Sequence, residues 1–301
     1  MTPSMKPAIP ATRIELKNIL FTTDFSDAAN AAVPYVKELA KRFGAKVHAL
    51  HVRTPAVNPM TQPSSWAGLE EAARIENERH RQELRDTFAG MEPEITIEEG
   101  DLGSNLEPAI ERGHIDMIVM GTRGRTGIGK FFLGSVAEKV FRGASCPVMT
   151  VGPHAISIGK PYERFSRILF ATDFSHESKA ALKYAISLAE EYQAHLTLLH
   201  VVEEEKPGEI VLPADLTAAA EQEIRTLVPE EAKDWCVPEY KVAVGPVAET
   251  ILDIAAHDHA DLIVMGMNQP SAFPGADEHL SIRTAHKVVS HAECPVLTVR
   301  G

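Results

Sequence analysis

The sequence has few cysteines, no excess of positive charge and no long apolar run, and each shortage disfavours a class of protein. Only three of its 301 residues are cysteine (Cys146, Cys236 and Cys294), and their odd number and wide spacing indicate neither a disulfide framework nor a zinc site. No apolar run approaches the roughly 20 residues that a membrane-spanning helix needs. The first 13 residues contain three prolines and no apolar segment, unlike a secretory signal. We therefore expect a cytoplasmic protein without a membrane segment.

The net charge disfavours nucleic acid as a partner. The formal charge is −12 at pH 7, whereas a protein that binds nucleic acid without regard to sequence needs a basic face for the phosphates. Hydrophobic residues make up 44% of the chain and charged residues 24%, which is ordinary for a soluble globular protein. The length is enough for two domains of common size.

The sequence contains one long internal repeat. Its matching blocks lie 149, 145 and 148 residues apart, so almost the whole of one domain is duplicated in tandem. The blocks are Lys17–Ser26 with Ser166–Ser175, Asp116–Gly121 with Asp261–Gly266, and Cys146–Val151 with Cys294–Val299. We expect a flexible tail at 1–14, a first domain at 15–152, a linker at 153–164 and a second domain at 165–301.

Apolar strand patterns alternate with helical patterns in each copy. This alternation predicts an α/β fold with a parallel sheet that helices cover on both faces in a doubly wound arrangement. In the first copy, apolar residues recur at helical spacing from Ala28 to Ala40, and Gly44 is a natural end for that helix. The further predicted segments are strands at 18–22, 46–52, 94–98, 115–120 and 147–151 and helices at 70–88, 106–112 and 136–141.

Several polar or small residues follow the carboxyl ends of these predicted strands. Thr23 and Asp24 follow the first strand, Val52 ends the second and Gly121 follows the fourth. Ligands of doubly wound sheets bind at this edge, so the four residues indicate one shared site. A glycine-rich stretch continues from Gly121, and a helix is predicted to begin after it. Such a loop can hold phosphates with its backbone N–H groups. An ordinary glycine-rich turn is the alternative.

The sequence does not match either of two common nucleotide-binding motifs. The stretch Gly124–Lys130 matches the first seven positions of a P-loop, but Phe131 stands where Ser or Thr must hold magnesium. The dinucleotide fingerprint Gly-x-Gly-x-x-Gly does not follow the first strand. His51 and His200 end strands without an evident catalytic partner, so we expect both to be structural.

The motifs together resemble the universal stress protein family, in a tandem form. The resemblance rests on the Thr-Asp-Phe-Ser opening, the Leu-His-Val strand end, Ile-Val-Met-Gly, the spacing of Gly121, Gly124 and Gly134, and the Cys-Pro-Val strand. It implies a five-stranded parallel sheet of the adenine nucleotide α-hydrolase-like type. It also implies ATP, with or without Mg²⁺, held through adenosine by Asp24 and Val52 and through phosphates by the glycines and Ser135. The full candidate set is Thr23, Asp24, Val52, Met120, Gly121, Arg123, Gly124, Gly134, Ser135 and Val136, with no catalytic residue and no metal ligand.

The second copy departs from this pattern in the phosphate loop. Gln269 stands where the first copy has Gly124, and Ile282 and Arg283 stand where it has Gly134 and Ser135. A β-branched residue cannot readily replace glycine in a tight phosphate turn. We therefore expect the second copy to have lost its phosphate site and each chain to bind one nucleotide.

The resemblance implies a regulatory ATP-binding protein of the stress response. The alternatives are a slow ATPase or nucleotidyl-transfer enzyme of the same fold, or an interaction scaffold that binds no nucleotide. Family members pair through their last strands, so Val148–Val151 and Val296–Val299 are expected to pair the two copies within the chain, which covers open sheet edges. Two chains could associate further as a homodimer, and the protein partners are unknown.

Overall fold

The computed structural model describes residues 13–53, 66–122, 133–152, 155, 164–203, 213–232, 236–267 and 278–300. Contacts between residues divide the chain into two units. The first unit comprises Leu16–Glu163 and Gln269–Leu297, and the second comprises Met1–Glu15, Arg164–Asn268 and Thr298–Gly301. Each unit is described by itself.

Both units consist of strands that alternate with helices along the chain. The first copy contains β1 (Asn18–Thr22), α1 (Asp27–Asn30), α2 (Val33–Phe43), β2 (Lys46–Arg53), α3 (Trp66–Thr87), β3 (Glu94–Glu99), α4 (Leu102–Gly113), β4 (Met117–Gly121), α5 (Ser135–Gly143) and β5 (Val148–Val151). The second copy contains β6 (Arg167–Thr172), α6 (His176–Tyr192), β7 (His195–Val202), α7 (Pro213–Thr226), β8 (Glu239–Val244), α8 (Val247–His257), β9 (Leu262–Met267), α9 (Glu278–His291) and β10 (Val296–Arg300).

The sheet of the first unit has the order β3-β2-β1-β4-β5, and these neighbours pair in parallel. The strand order reverses between β1 and β4, which is where ligands of such sheets bind. Thr22 of β1 pairs with Leu50 of β2 and with Met120 of β4, so the carboxyl ends of all three strands lie at one edge. The predicted α/β class with parallel sheets is confirmed.

The second unit repeats this topology as β9-β6-β7-β8, again in parallel. The segment Gln269–Leu297, which carries α9 and the start of β10, groups by its contacts with the first unit. Within that unit the hydroxyl of Thr150 in β5 donates a hydrogen bond of 3.2 Å to the carbonyl oxygen of Val296. The contact units therefore differ from the two sequence copies in this segment.

The helix predicted from Ala28 to Ala40 is interrupted. It forms α1 and α2 with a turn at Ala31 and Ala32 between them. Pro34 has no N–H to donate to the carbonyl of Asn30, so a continuous helix would lack that bond. The second copy has Lys183 at the matching position and a single helix α6. Gly44 ends α2 with a φ of 66°, as the sequence predicts.

Helix α3 is highly charged and mostly exposed, as its pattern predicts. Among its described side chains, the buried ones are His80 and Leu84, four residues apart and therefore on one face, with Phe88 directly after the helix. Ion pairs such as Arg74 with Glu71 lie on the exposed side. Among the described residues, no helix is long and apolar enough to cross a membrane.

Candidate functional site

The turn after β1 is held by its own hydrogen bonds. The N–H of Thr23 donates to the carbonyl of Leu50 in β2 (3.0 Å), which fastens the end of β1 to its neighbour. The Thr23 hydroxyl accepts from the N–H of Phe25 (2.9 Å), and a carboxylate oxygen of Asp24 accepts from the N–H of Ser26 (3.0 Å). Ser26 then caps α1 by accepting from Ala29 (3.2 Å). The half-buried Asp24 carboxylate thus has a defined position at the sheet edge.

Phe25 occupies an unusual backbone conformation within this turn. Its φ is 61°, in the left-handed region that residues with a side chain rarely adopt. Phe174, its counterpart in the second copy, has a φ of 64°. A bulky residue persists in this conformation only when its surroundings hold it there.

Gly121 has a packing role that the sequence did not indicate. A Cβ atom added to Gly121 would lie 2.2 Å from the carbonyl oxygen of Ala28 in α1, so the helix rests directly on the end of β4. Gly266 in the second copy meets the backbone nitrogen of Ser178 in the same way, at 2.3 Å. Glycine is therefore required at both positions for the close approach of the helix to the strand, whether or not phosphates bind. Met120 beside it is only 3% exposed and belongs to the core.

The glycine-rich loop is closed at its base. The N–H of Thr122 donates to the carbonyl of Val151 in β5 (3.0 Å), and the N–H of Gly134 donates to the carbonyl of Thr122 (2.8 Å). The chain therefore leaves and returns at one point, and Leu133 is buried at the return. The predicted site residues Arg123 and Gly124, and the diagnostic Phe131, lie outside the described residues.

Helix α5 begins at this base without a side-chain cap. Its N-cap residue is Gly134, Ser135 is its first residue, and Val136 is 47% exposed. The first N–H groups of a helix have no partner within the helix, and they carry its positive partial charge. The one acidic residue of the first turn, Glu138, pairs with Arg142 at 3.1 Å. The start of α5 is thus suited to an anion.

Val52 lies two residues beyond Leu50 on β2, and β2 pairs with β1, the strand that Thr23 follows. Its side chain is half-buried, and Arg53 after it forms ion pairs with Glu76 and Glu99. The structure therefore places Thr23, Asp24, Val52, Met120, Gly121 and Gly134 at the carboxyl edge of neighbouring strands or at the loop base bonded to that edge.

A ring cluster of His51, Phe25 and His80 was missed at the level of sequence. His51 donates from Nδ1 to the carbonyl of Thr23 (2.8 Å), because a carbonyl oxygen can only accept. The ring centroid of Phe25 lies 4.8 Å from that of His51 and 4.3 Å from that of His80, and the two imidazoles are 4.9 Å apart. The available signal was the helical spacing that puts His80 on the buried face of α3 with Leu84.

His80 is a buried imidazole with an unusual environment. It is 2% exposed, and its Nδ1 is buried with no hydrogen-bond partner in the described part of the chain. Burial lowers the pKa of His80, and the neighbouring His51 lowers it further. The ring is therefore held neutral within the cluster.

In the described part of the second copy, the same turn is accompanied by two rings rather than three. His200 donates from Nδ1 to the carbonyl of Thr172 (2.9 Å), and its ring lies 4.4 Å from that of Phe174. The buried residues Ala220, Ile224 and Val228 repeat the spacing of the buried His80, Leu84 and Phe88, so Ala220 stands at the position that matches His80. The third ring is thus replaced by a methyl group.

The phosphate side of the second copy is built differently. Helix α9 begins at Glu278, so Ile282 and Arg283 are its fifth and sixth residues. Only the first four N–H groups of a helix lack a partner within it, and those of Ile282 and Arg283 come later. The uncapped helix start seen at Gly134 therefore has no equivalent at these positions.

Within the described ranges, no three His, Cys, Asp or Glu side chains are grouped to hold a metal ion. None of the three cysteines forms a disulfide bond. Burial raises the pKa of Cys146 to about 12, so its thiol stays protonated and unreactive at neutral pH.

Comparison with known proteins agrees with this architecture. The model of the universal stress protein family matches residues 15–152 and again 164–300. A universal stress protein of Methanocaldococcus jannaschii is 32% identical over 139 residues, which cover 45% of this chain and 81% of that protein. One of Synechocystis is 26% identical over 310 residues, covering 95% of this chain and all of that protein (100%).

A solved structure extends the agreement to the fold of the whole chain. The crystal structure of a universal stress protein from Archaeoglobus fulgidus superposes with a TM-score of 0.68 at 21% sequence identity, covering 95% of this chain and 99% of that one. Two family domains in series, parallel sheets in both units and the same turn after the first strand of each copy lead to one conclusion: the chain belongs to the universal stress protein family as a tandem two-domain member.

Proposed function

We propose that the first copy binds an adenine nucleotide, with ATP as the foremost candidate. We further propose that the protein acts as a regulatory nucleotide-binding protein of the stress response. The observation that carries this proposal is the uncapped start of α5 at Gly134, bonded to the loop base next to β4. Free helix N–H groups and the positive helix end favour phosphate oxygens at this position.

The opposite part of the site suits a nucleoside. The Asp24 carboxylate is held at the end of β1, and a carboxylate accepts hydrogen bonds from sugar hydroxyls. Val52 contributes a half-buried apolar side chain and backbone groups at the end of β2. Arg123 and Gly124 complete the proposed phosphate loop, and Mg²⁺ would be held by the phosphates rather than by a cluster of protein ligands.

We propose a regulatory role rather than an enzymatic one. Phosphoryl transfer needs a group that positions the attacking nucleophile and one that stabilises charge in the transition state. Of the two histidines nearest the turn, His51 uses Nδ1 to hold Thr23, and His80 is buried against Phe25. Neither is placed to act on a nucleotide phosphate.

The two copies are proposed to have divided roles, with domains at 15–152 and 165–301. The first copy holds the nucleotide, and the second contributes its last strand. Support comes from the hydrogen bond between Thr150 of β5 and Val296 of β10. Such pairing would occupy edges that otherwise invite association with other chains.

We expect one nucleotide per chain. Mass spectrometry of the purified protein should identify retained adenine nucleotide, and titration calorimetry with ATP, ADP, cyclic AMP and GTP should give a stoichiometry of one for the preferred ligand. Comparison of the four nucleotides separates recognition of the base from recognition of the phosphates. Two equivalent sites would contradict the loss of the second phosphate site, and no binding by any of the four would reject the proposed function.

Turnover is the measurement that separates the regulatory role from an enzymatic one. Single-turnover experiments with radiolabelled ATP should yield product far more slowly than nucleotide dissociates. Rapid, magnesium-dependent hydrolysis would instead establish an ATPase.

A further inference from the structure

We infer that His80 is a positioning residue for the nucleotide site of the first copy, which acts through Phe25 on the Thr23–Asp24 turn. Neutral His80 holds the turn, and protonated His80 releases it, so nucleotide affinity falls at acidic pH. This inference rests on the proposed function, because the turn matters only if Asp24 contacts a ligand.

The contacts form a continuous path from His80 to the turn. The rings of His80 and Phe25 are stacked, with an interplanar angle of 20° and centroids 4.3 Å apart. Phe25 follows Asp24 directly and has the left-handed φ of 61°, so its ring anchors a conformation that is otherwise disfavoured. His51 meets both rings edge to face and holds the carbonyl of Thr23. Movement of Phe25 would therefore displace Asp24.

A proton on His80 has no favourable place in this cluster. Its buried Nδ1 has no acceptor in the described structure, and burial disfavours the charged ring. From β2, His51 faces the ring and also disfavours its charge. From α3, Arg79 acts in the same direction, whereas Glu76 and Glu83 favour the charge. Burial is the largest of these effects, and it lowers the pKa of His80.

The direction of the pH effect follows from the lowered pKa of His80. The fold that stacks His80 prefers the neutral ring, so a proton binds more readily when the ring has left the stack. Binding of the nucleotide requires the ordered turn and therefore opposes protonation. Affinity is full above the pKa of His80 and is lost as the pH falls through it, by at most about tenfold per pH unit for one linked proton.

The second copy provides the matched comparison. It retains Phe174 in the left-handed conformation and His200 bonded to Thr172, but Ala220 replaces the third ring. The left-handed turn thus forms without a ring at this position, so His80 of the first copy stiffens a turn that forms in either copy. His80 is found in the copy that we propose to bind the nucleotide.

Three forms of the full-length protein test the inference. In the wild type, ATP affinity measured by calorimetry should weaken as the pH is lowered from 8 to 5. His80→Phe keeps a stacking ring without a titrating nitrogen, so its affinity should match that of the wild type at pH 8 and stay higher at pH 5. His80→Ala reproduces the second copy and should bind more weakly throughout. The titration of ATP itself is common to all three and cancels in the comparison.

A second readout does not require a ligand. In nucleotide-free protein, the amide NMR signals of Phe25 and Ser26 should shift with the titration of the His80 ring in the wild type and lose that shift in His80→Phe. Equal pH dependence of these signals in both proteins would overturn the inference. If the signals follow His80 but no nucleotide binds at any pH, the coupling stands and the proposed function fails. If ATP binds with the same pH profile in wild type and His80→Phe, the proposed function stands and the inference fails.

Discussion

Gly121→Ala is expected to destabilise the first unit by about 3 kcal/mol, at the upper end of the usual range for overpacking in a core. The added Cβ would lie 2.2 Å from the carbonyl oxygen of Ala28 and 2.9 Å from the nitrogen of Ala29, both backbone atoms. Neither can move without shifting α1 away from β4. Native-state hydrogen exchange of β4 amides measures the loss within this unit.

Gly266→Ala and Gly143→Ala are the matched variants for this prediction. A Cβ at Gly266 meets backbone of α6 at 2.3 Å, so a loss of similar size is expected in the second unit. Gly143 has no atom within 4 Å of the added Cβ, and its replacement should be neutral or stabilise by about 0.5 kcal/mol. Normal stability of Gly121→Ala would mean that α1 does not rest on the glycine. The presence of glycine at position 121 would then be explained by the phosphate role alone.

Gly134→Asp is expected to abolish nucleotide binding while the fold is kept or strengthened. Gly134 is the N-cap of α5, with the extended backbone (φ −62°, ψ 149°) that any residue adopts. Aspartate is among the best N-cap residues, so helix stability should rise. Its carboxylate would, however, take the helix N–H groups and repel a phosphate. Two unit charges 4 Å apart near a surface repel by about 4 kcal/mol, so the affinity should fall by about 1000-fold.

Two measurements on the Gly134 variants separate charge from bulk. Gly134→Ser also caps the helix but carries no charge, so we expect a smaller loss of affinity by calorimetry. Thermal unfolding should give a midpoint for Gly134→Asp at or above that of the wild type. Tight ATP binding by Gly134→Asp would place the phosphates elsewhere than at α5. Because this variant does not disturb the ring cluster, its nucleotide-free NMR signals at Phe25 should titrate as in the wild type.

The two sets of variants address different roles within one stretch. Gly121 and Gly134 both belong to the glycine spacing, but the structure gives Gly121 a role in packing and leaves Gly134 with a backbone that does not require glycine. Loss of binding in Gly121→Ala would therefore follow from a displaced helix, whereas loss in Gly134→Asp would follow from charge. Spacing alone cannot make this distinction, because it does not record which backbone atoms lie nearby.

Local pattern determined most of the fold. Apolar runs and a tandem repeat predicted the alternating strands and helices, and β1 was predicted with its observed bounds, Asn18–Thr22. Gly44 was recognised as the end of α2 because a left-handed C-terminal residue favours glycine. The interruption at Ala31 and Ala32 was missed, although Pro34 was visible, since an apolar helical period continues across it.

The sequence by itself determined the family and the duplication, and it predicted a site at the carboxyl edge of the strands, because these depend on short-range periodicity and on motifs close together in the chain. The tertiary structure alone decided that α1 rests on Gly121 and that His80 stacks on Phe25. Both contacts join residues more than 50 positions apart. Such pairs come into contact only when parallel strands and their crossover helices pack, and no local sequence pattern predicts these contacts.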